Sequence, residues 1–257
     1  MRAANDAGRA ALVIYLPAGF PDLDTSRACL EAAADAGADL LEVGFPYSDP
    51  LMDGPTIQSA NQVALDHGYT PADDFAMCGR LTASVGVPAL VMTYYNLAWH
   101  YGGTDRLESF AAAARDAGLA GAILPDLPAD EGGPWLSRAA AHDLATVFLA
   151  APTSTDTRLD AVAEASTGFV YATSTLGVTG ERRSLSATAA PLVARIRERT
   201  AKPVGVGIGV TSAEHAAEVA GFADGVIVGS AAVRAAGQRG PAGVATLVRD
   251  LAAGCRR

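Results

Sequence analysis

Lysine is nearly absent from this chain, cysteine is scarce, and no long apolar run occurs. The 257 residues include one lysine, Lys202, and only three cysteines. The cysteines, Cys29, Cys78 and Cys255, are too few and too far apart for a disulfide framework, which is typical of a reducing compartment. The N-terminal apolar run from Ala10 to Leu16 is too short to span a membrane, and no signal-peptide cleavage region follows it. We therefore expect a cytoplasmic protein.

Positive charge is also in deficit. Acidic residues number 28 against 19 basic ones, which gives a formal net charge of -9. Such a balance argues against nucleic acid or an anionic membrane as the main partner. Half of the residues are hydrophobic and 18% are charged, so the chain has enough apolar surface to fold around a large core.

Eight short aliphatic runs alternate with alanine-rich stretches along the whole chain. They are Leu12–Leu16, Leu40–Val43, Ala89–Thr93, Gly121–Leu124, Thr146–Leu149, Phe169–Ala172, Val204–Val206 and Val226–Val228. Apolar runs without alternation suit parallel strands that are covered on both faces, and the stretches between them suit helices. Between the first two runs, Asp24 or Thr25 is expected to cap a helix that runs to Ala36. The pattern predicts an α/β fold, an eight-stranded parallel (β/α) TIM barrel that forms a single domain over residues 1–257.

Functional residues of such a barrel lie in the loops after the strands, and the second of these loops is rich in carboxylates. Glu42 lies near the end of an apolar strand, where a carboxylate is rarely present for stability. Asp49 and Asp53 follow in a turn-rich segment, where one carboxyl group can be desolvated while another stays ionised. Because they precede proline and glycine, both are also ordinary turn formers.

Two glycine clusters follow the last two strands. Gly205, Gly207 and Gly209 come after strand seven, and Gly229 and Ser230 come after strand eight. Glycine lets backbone N–H groups approach an oxyanion closely, and these two loops form the usual phosphate site of phosphate-binding barrels. Tight turns also need glycine, but the position of both clusters favours a phosphate site.

The sequence lacks suitably placed residues for two other kinds of catalysis, imine formation by lysine and metal-assisted chemistry. Lys202 precedes strand seven, at the end of the barrel opposite the expected site, so imine formation is disfavoured. The four histidines are dispersed, most of them on predicted helices, and we predict no catalytic metal and no cofactor of the chain's own. Carboxylate acid–base catalysis on a small phosphorylated substrate remains.

Several motifs together resemble one family. The segment "LEVGFPYSDPLMDGPTIQ" from Leu41 to Gln58 resembles the signature of the tryptophan synthase alpha subunit family, and "PAGFPD", "MTYYN", "ILPDLP", "GFVYATSTLGVTG", "VGIGV" and "VGSA" extend the resemblance over nearly the whole chain. It implies retro-aldol cleavage of indole-3-glycerol phosphate to indole and glyceraldehyde 3-phosphate in tryptophan biosynthesis. It also implies a heterotetramer in which indole passes to a beta subunit that carries pyridoxal phosphate (PLP).

The resemblance also implies roles for single residues. Glu42 matches the family's acid–base glutamate and Asp53 its catalytic aspartate. Positions that match substrate-binding residues are Tyr94, Tyr171, Thr179, Gly180, Gly207, Ile208, Gly209, Gly229 and Ser230, with Thr179 and Gly180 in the closing lid. Pro46 and Asp49 match the loop that meets the beta subunit.

The chain also departs from the family's usual pattern. The helix that commonly precedes the first strand is expected to be short or absent, Ile208 stands where phenylalanine is frequent, and Arg182 and Arg183 follow the lid. These departures fit a stand-alone lyase of specialised metabolism. Two other functions also stay open: a catalytically weak homologue that regulates a beta subunit and, on the glycine loops alone, a sugar-phosphate isomerase or epimerase.

Overall fold

The structure, a computed structural model, describes residues 1–104, 106–173, 186–207 and 209–257. Its strands are β1 (Ala11–Pro17), β2 (Leu40–Gly44), β3 (Ala89–Met92), β4 (Gly121–Ile123), β5 (Ala145–Ala150), β6 (Val170–Thr173), β7 (Val204–Gly207) and β8 (Gly225–Val228). Each coincides with one predicted run to within one residue at either end. The apolar runs therefore marked the strands correctly.

The eight strands form one closed barrel in sequence order, and β8 pairs with β1 to close it. Every neighbouring pair is parallel, so all carboxyl ends meet at one end of the barrel. The register places Tyr15 of β1 opposite Glu42 of β2. Paired residues of neighbouring strands point to the same side of a sheet, and here both face the interior. The predicted eight-stranded barrel is confirmed.

Helices connect successive strands and cover the outside of the barrel. They are α1 (Arg2–Asp6), α2 (Leu23–Asp35), α3 (Pro55–Asp66), α4 (Pro71–Ser84), α5 (Tyr95–His100), α6 (Arg106–Asp116), α7 (Gly133–Ala141), α8 (Asp156–Ala165), α9 (Ser186–Arg197), α10 (Ala213–Ala220) and α11 (Ser230–Gly254). A kink at Gly240, where φ is 56°, divides α11 just before Pro241. None of the described helices combines the length and apolar composition that crossing a membrane requires. Helix α1 spans five residues, in line with the short helix expected there.

The cap predicted for α2 is wrong by two or three positions. Asp22, and neither Asp24 nor Thr25, is the N-cap, and its carboxylate accepts a hydrogen bond from the Thr25 backbone N–H at 2.8 Å. Thr25 also donates its hydroxyl to Asp22. Asp24 instead lies in the first turn, where its charge faces the positive end of the helix dipole.

The core has two layers. Inside the barrel, one cluster of buried side chains fills the space between the strands: Val13, Leu40, Leu90, Ile123, Val147, Phe169 and Ile227. A second and larger cluster lies between the outer face of the strands and the helices. The layers explain the unbroken apolar runs, because alternate residues of each strand enter different layers.

Acidic side chains at the N-terminal end of the barrel are paired. Asp39 accepts a hydrogen bond from the Leu12 backbone N–H at 2.8 Å and forms an ion pair with Arg9. Asp224, just before β8, accepts from the Val204 backbone N–H at 2.9 Å. Both carboxylates thus tie neighbouring strands together at this end.

Lys202 lies at the same end, just before β7, and its ammonium group donates to the carbonyl oxygens of Ala163 and Glu164. The lysine therefore lies away from the carboxyl ends of the strands, as predicted.

Candidate active site

Glu42 is a buried carboxyl group in the interior of the barrel. It is the third residue of β2, and none of its surface is exposed. Neither carboxyl oxygen has a hydrogen-bond partner among the described residues. Burial without a compensating charge disfavours the ionised form and raises the pKa of Glu42 to about 8. At neutral pH this side chain holds a proton that it can donate.

Asp53 lies in the loop after β2, next to Gly54, the residue that caps α3. Burial raises the pKa of Asp53 to about 6, while the Tyr94 hydroxyl and the Asn61 amide, which face the carboxylate as donors, oppose the rise. The Asn61 Nδ2 lies 3.3 Å from the Asp53 carboxylate. Asp53 is therefore mainly ionised at a pH where Glu42 is mainly protonated.

Two tyrosines cross from their own strands to a glycine on the next strand. A Cβ atom on Gly44 would lie 2.3 Å from the Tyr15 hydroxyl, and one on Gly207 would lie 2.4 Å from the Tyr171 hydroxyl. Both positions therefore require glycine. Burial, together with the negative potential of Glu42 and Asp53, raises the pKa of both tyrosines well above the usual range, so each hydroxyl keeps its proton.

A cavity of about 300 Å³ opens at the carboxyl ends of the strands. Its lining residues come from several loops and include Asp53, Met92, Tyr171, Thr173, Gly207, Gly209, Gly229 and Ser230. Helix α11 begins at this wall, with Gly229 as its N-cap and Ser230 as its first residue. First-turn N–H groups of a helix lack intrahelical acceptors and carry the positive end of its dipole. The cavity therefore combines a carboxylate and a phenol with backbone N–H donors that suit an anion.

Other predicted site residues lie near the cavity or outside the described chain. Tyr94 caps α5, is 5% exposed, and its hydroxyl accepts a hydrogen bond from the Met52 backbone N–H at 2.8 Å. Thr179, Gly180 and Ile208 lie outside the described residues.

The two positions predicted to contact a partner differ in exposure. Pro46 is buried, whereas Asp49 is exposed and accepts a hydrogen bond from the Ser48 hydroxyl. Partner contact at both positions stays a prediction.

Two residues of the site had not been predicted, Tyr15 and Asn61. Asn61 is a buried polar residue on α3, one turn after Ile57, and its side-chain oxygen has no described partner. A polar residue on the apolar face of a helix was the available signal. Tyr15 gave no such signal, because its position opposite Glu42 depends on strand register.

These features define a (β/α)8 barrel with a site suited to acid–base chemistry on a small anionic substrate. The model of the family "Tryptophan synthase alpha chain" matches residues 1–255. The chain belongs to this family.

Relatives of the same name cover the whole chain. The tryptophan synthase alpha chain of Streptomyces coelicolor is 49% identical over 264 residues, covering 100% of this chain and 95% of the relative. That of Acidothermus cellulolyticus is 50% identical over 260 residues, covering 100% and 96%.

Solved structures agree with this assignment. A structure of Mycobacterium tuberculosis tryptophan synthase superposes with a TM-score of 0.92 at 45% identity, covering 100% of this chain and 96% of the other. A tryptophan synthase complex from Pyrococcus furiosus gives 0.84 at 32% identity, covering 95% and 98%. The chain is accordingly a carbon–carbon lyase of tryptophan biosynthesis that acts on indole-3-glycerol phosphate.

Proposed function

We propose that Glu42 and Asp53 carry out the retro-aldol cleavage of indole-3-glycerol phosphate as a general acid and an electrostatic stabiliser. One observation supports this division above all: burial raises the pKa of Glu42 to about 8 but that of Asp53 only to about 6. Two carboxyl groups with separated pKa values can serve as acid and as carboxylate at the same pH.

Glu42 supplies the proton that makes the bond breakable. Its carboxyl proton adds to C3 of the indole ring, which becomes a cationic indoleninium. The Glu42 carboxylate then removes the proton from the hydroxyl on the adjoining glycerol carbon. As that oxygen forms a carbonyl, the electron pair of the carbon–carbon bond returns to the ring. Neutral indole and glyceraldehyde 3-phosphate leave, and Glu42 is protonated again.

Asp53 acts on the charge that develops between these steps. As a carboxylate it accepts a hydrogen bond from the indole N–H, whose nitrogen carries positive charge after C3 is protonated. This interaction is stronger in the transition state than in the ground state, so it raises turnover more than affinity.

The remaining predicted residues hold the two ends of the substrate. Gly229 and Ser230 line the cavity at the start of α11, and Gly207 lines it at the end of β7. Their backbone N–H groups suit the phosphate. Tyr171, whose ring lines the same cavity, and Tyr94, beside Asp53, suit the indole side.

We further propose that the chain assembles as a cytoplasmic heterotetramer with a beta subunit that carries PLP and consumes the indole. Related solved structures are tryptophan synthase complexes, which supports a partner. The loop that bears Asp49 also presents Leu51, which is 88% exposed. A large apolar side chain in water next to the predicted contact position is suited to burial against another chain.

The test is indole release by Glu42→Gln and Asp53→Asn, measured with and without added beta subunit. We expect Glu42→Gln to lose about 10²-fold or more in turnover. Asp53→Asn should lose turnover with little change in KM. Glu164→Gln and Asp35→Asn, which change exposed carboxylates elsewhere, are the matched controls.

Near-normal turnover in Glu42→Gln would contradict the mechanism. Activation of a beta subunit with no indole release under either condition would instead favour a regulatory homologue. Full activity that no beta subunit alters, with no complex in sedimentation, would favour a stand-alone lyase.

A further inference from the structure

A hydrogen bond links two residues at the rim of the site that have no role in the mechanism above. The Asn96 side-chain amide of α5 donates to the Tyr47 hydroxyl at 2.6 Å. Tyr47 belongs to the loop after β2, so this bond ties the loop that carries Asp53 to the loop region after β3. Asn96 is exposed and Tyr47 is half-buried.

The ring of Tyr47 lies against the ring of Tyr94. Their centroids are 5.1 Å apart and the planes differ by 22°, which is a stacked arrangement. Tyr94 is almost fully buried, and the Tyr47 ring covers one of its faces. The position of one ring therefore depends on the other.

The hydroxyl of Tyr94 completes the connection to the catalytic loop. It accepts the Met52 backbone N–H at 2.8 Å, and Met52 directly precedes Asp53. It also faces the Asp53 carboxyl group. The same phenol thus contacts the backbone that carries Asp53 and acts on its side chain.

Side-chain contacts fix much of this loop. Between β2 and α3 the chain forms no helix or strand. Besides Tyr94, the Asn61 amide faces the Asp53 carboxylate at 3.3 Å, and the Gln58 amide donates to the Asp53 backbone carbonyl at 2.8 Å. A loop without secondary structure holds its position through such side-chain contacts.

We propose that Tyr47 and Asn96 are positioning residues for catalysis: their hydrogen bond holds the Tyr47 ring on Tyr94, and Tyr94 in turn holds Asp53 in its ionised, productive position. Neither residue touches the reacting atoms. The inference rests on the role proposed for Asp53 and adds the device that maintains it.

Two single substitutions interrupt the same bond from opposite sides. Tyr47→Phe keeps the ring and removes the acceptor, and Asn96→Ala removes the donor. We expect each to lower kcat by about three- to tenfold, the usual size of coupling through a side-chain network, with KM within about twofold of the unaltered chain. Because both remove one interaction, the double variant should match the single ones instead of combining their losses.

The pH profile separates positioning from a general structural effect. In both variants the Tyr94 ring is held less firmly and its hydroxyl donates less well to Asp53. This should raise the pKa of Asp53, so the acidic limb of the kcat/KM profile should move to higher pH by about half a unit. The alkaline limb, which belongs to Glu42, should stay in place. Tyr95→Phe removes the neighbouring tyrosine's hydroxyl, for which no hydrogen bond is described, and should leave both limbs unchanged. Tyr47→Leu removes the stacked ring as well and should reduce kcat further than Tyr47→Phe does.

Several outcomes would overturn the inference. The first is an acidic limb that stays in place in Tyr47→Phe and Asn96→Ala. The second is a double variant in which the two losses of kcat add. The third is an acidic limb that persists in Asp53→Asn. Glu42→Gln tests the proposed function separately: if it abolishes indole release while Tyr47→Phe changes nothing, only the positioning role is wrong. Thermal unfolding of each variant verifies that the fold is retained.

Discussion

The carboxyl groups at the N-terminal end of the barrel are paired, whereas Glu42 in the barrel interior, toward the active site, is not paired with any described residue. At the N-terminal end, Asp39 is paired with Arg9 and accepts a backbone N–H, and Asp224 is paired with Arg197 at 3.0 Å. Three residues after Asp39 on the same chain, Glu42 is fully buried and has no described partner. A paired carboxylate stabilises the fold, whereas an unpaired one is costly to ionise and therefore keeps a proton available. One end thus favours stability and the other favours reactivity.

The largest expected effect is a loss of turnover when the unpaired carboxyl group of Glu42 is replaced. Glu42→Gln should lower turnover by about 10²-fold or more and leave the thermal midpoint of unfolding unchanged or higher, because Gln, unlike Glu42, need not take up a proton when the chain folds at neutral pH. Indole release and differential scanning calorimetry on the same preparation measure both. A midpoint several degrees below that of the unaltered chain would mean that Glu42 also supports the fold.

The kcat/KM of cleavage should be highest in the pH range between the pKa values of Asp53 and Glu42. Cleavage needs Asp53 ionised, above its pKa of about 6, and Glu42 protonated, below its pKa of about 8. The logarithm of kcat/KM should therefore fall by about one unit per pH unit on either side of that window. Asp53→Asn should remove the acidic limb and Glu42→Gln the alkaline limb. A profile that is flat from pH 5 to 9 would contradict both assignments.

At the other end, substitution should affect stability alone. Asp39→Asn weakens the pairing with Arg9, in which one guanidinium–carboxylate contact is 2.6 Å, and we expect it to lower the free energy of unfolding by about 2–3 kcal/mol. Turnover should stay within about twofold of the unaltered chain. Urea unfolding measures the loss, with Asp35→Asn, an exposed aspartate on α2, as the control. A large loss of turnover in Asp39→Asn at full folding would remove the contrast between the ends.

The smallest expected effect concerns a buried carboxyl group outside the barrel. Asp74 on α4 is 3% exposed, one of its oxygens has no described partner, and burial raises its pKa to about 7. The folded chain binds this proton more tightly than the unfolded chain, so stability is lost as pH rises from about 4 to about 7 and then levels off. Asp74→Asn should remove this loss and be more stable than the unaltered chain at pH 8 by about 1–2 kcal/mol, with little difference at pH 4.

The adjacent Asp73 provides the control for Asp74. It is exposed, and hydrogen bonds from Thr70 hold the pKa of Asp73 below its usual range. Asp73→Asn should therefore lose stability at neutral pH, the opposite sign. Parallel stability–pH curves for the two variants would show that burial is not the cause of the Asp74 effect.

The features that the sequence predicted are those whose pattern lies in a short, contiguous stretch of residues. The strands were predictable because each apolar run is contiguous, and Glu42 was predictable because a carboxylate within such a run is unusual. The glycine clusters were predictable because their place after the last two strands has a known use.

Other features depend on contacts between distant segments. The Tyr15 side chain reaches the site through strand register, and the Asn96–Tyr47 bond joins residues 49 positions apart. No local pattern contains such information. At α2, Asp22, Asp24 and Thr25 are all acceptable caps by residue type, and the path of the chain after β1 selected Asp22.

The tyrosine–glycine contacts have a consequence for altering the substrate range. At Gly207 the wall of the cavity is formed by the phenol of a neighbouring strand, because Tyr171 occupies the space that a side chain at position 207 would fill. Enlarging the glycine cannot reshape this wall without displacing the tyrosine. Trimming Tyr171, by contrast, frees the volume of its own ring together with the space above Gly207. An engineer who wants to admit bulkier ring-substituted indoles should therefore begin at Tyr171 and leave the glycine unchanged.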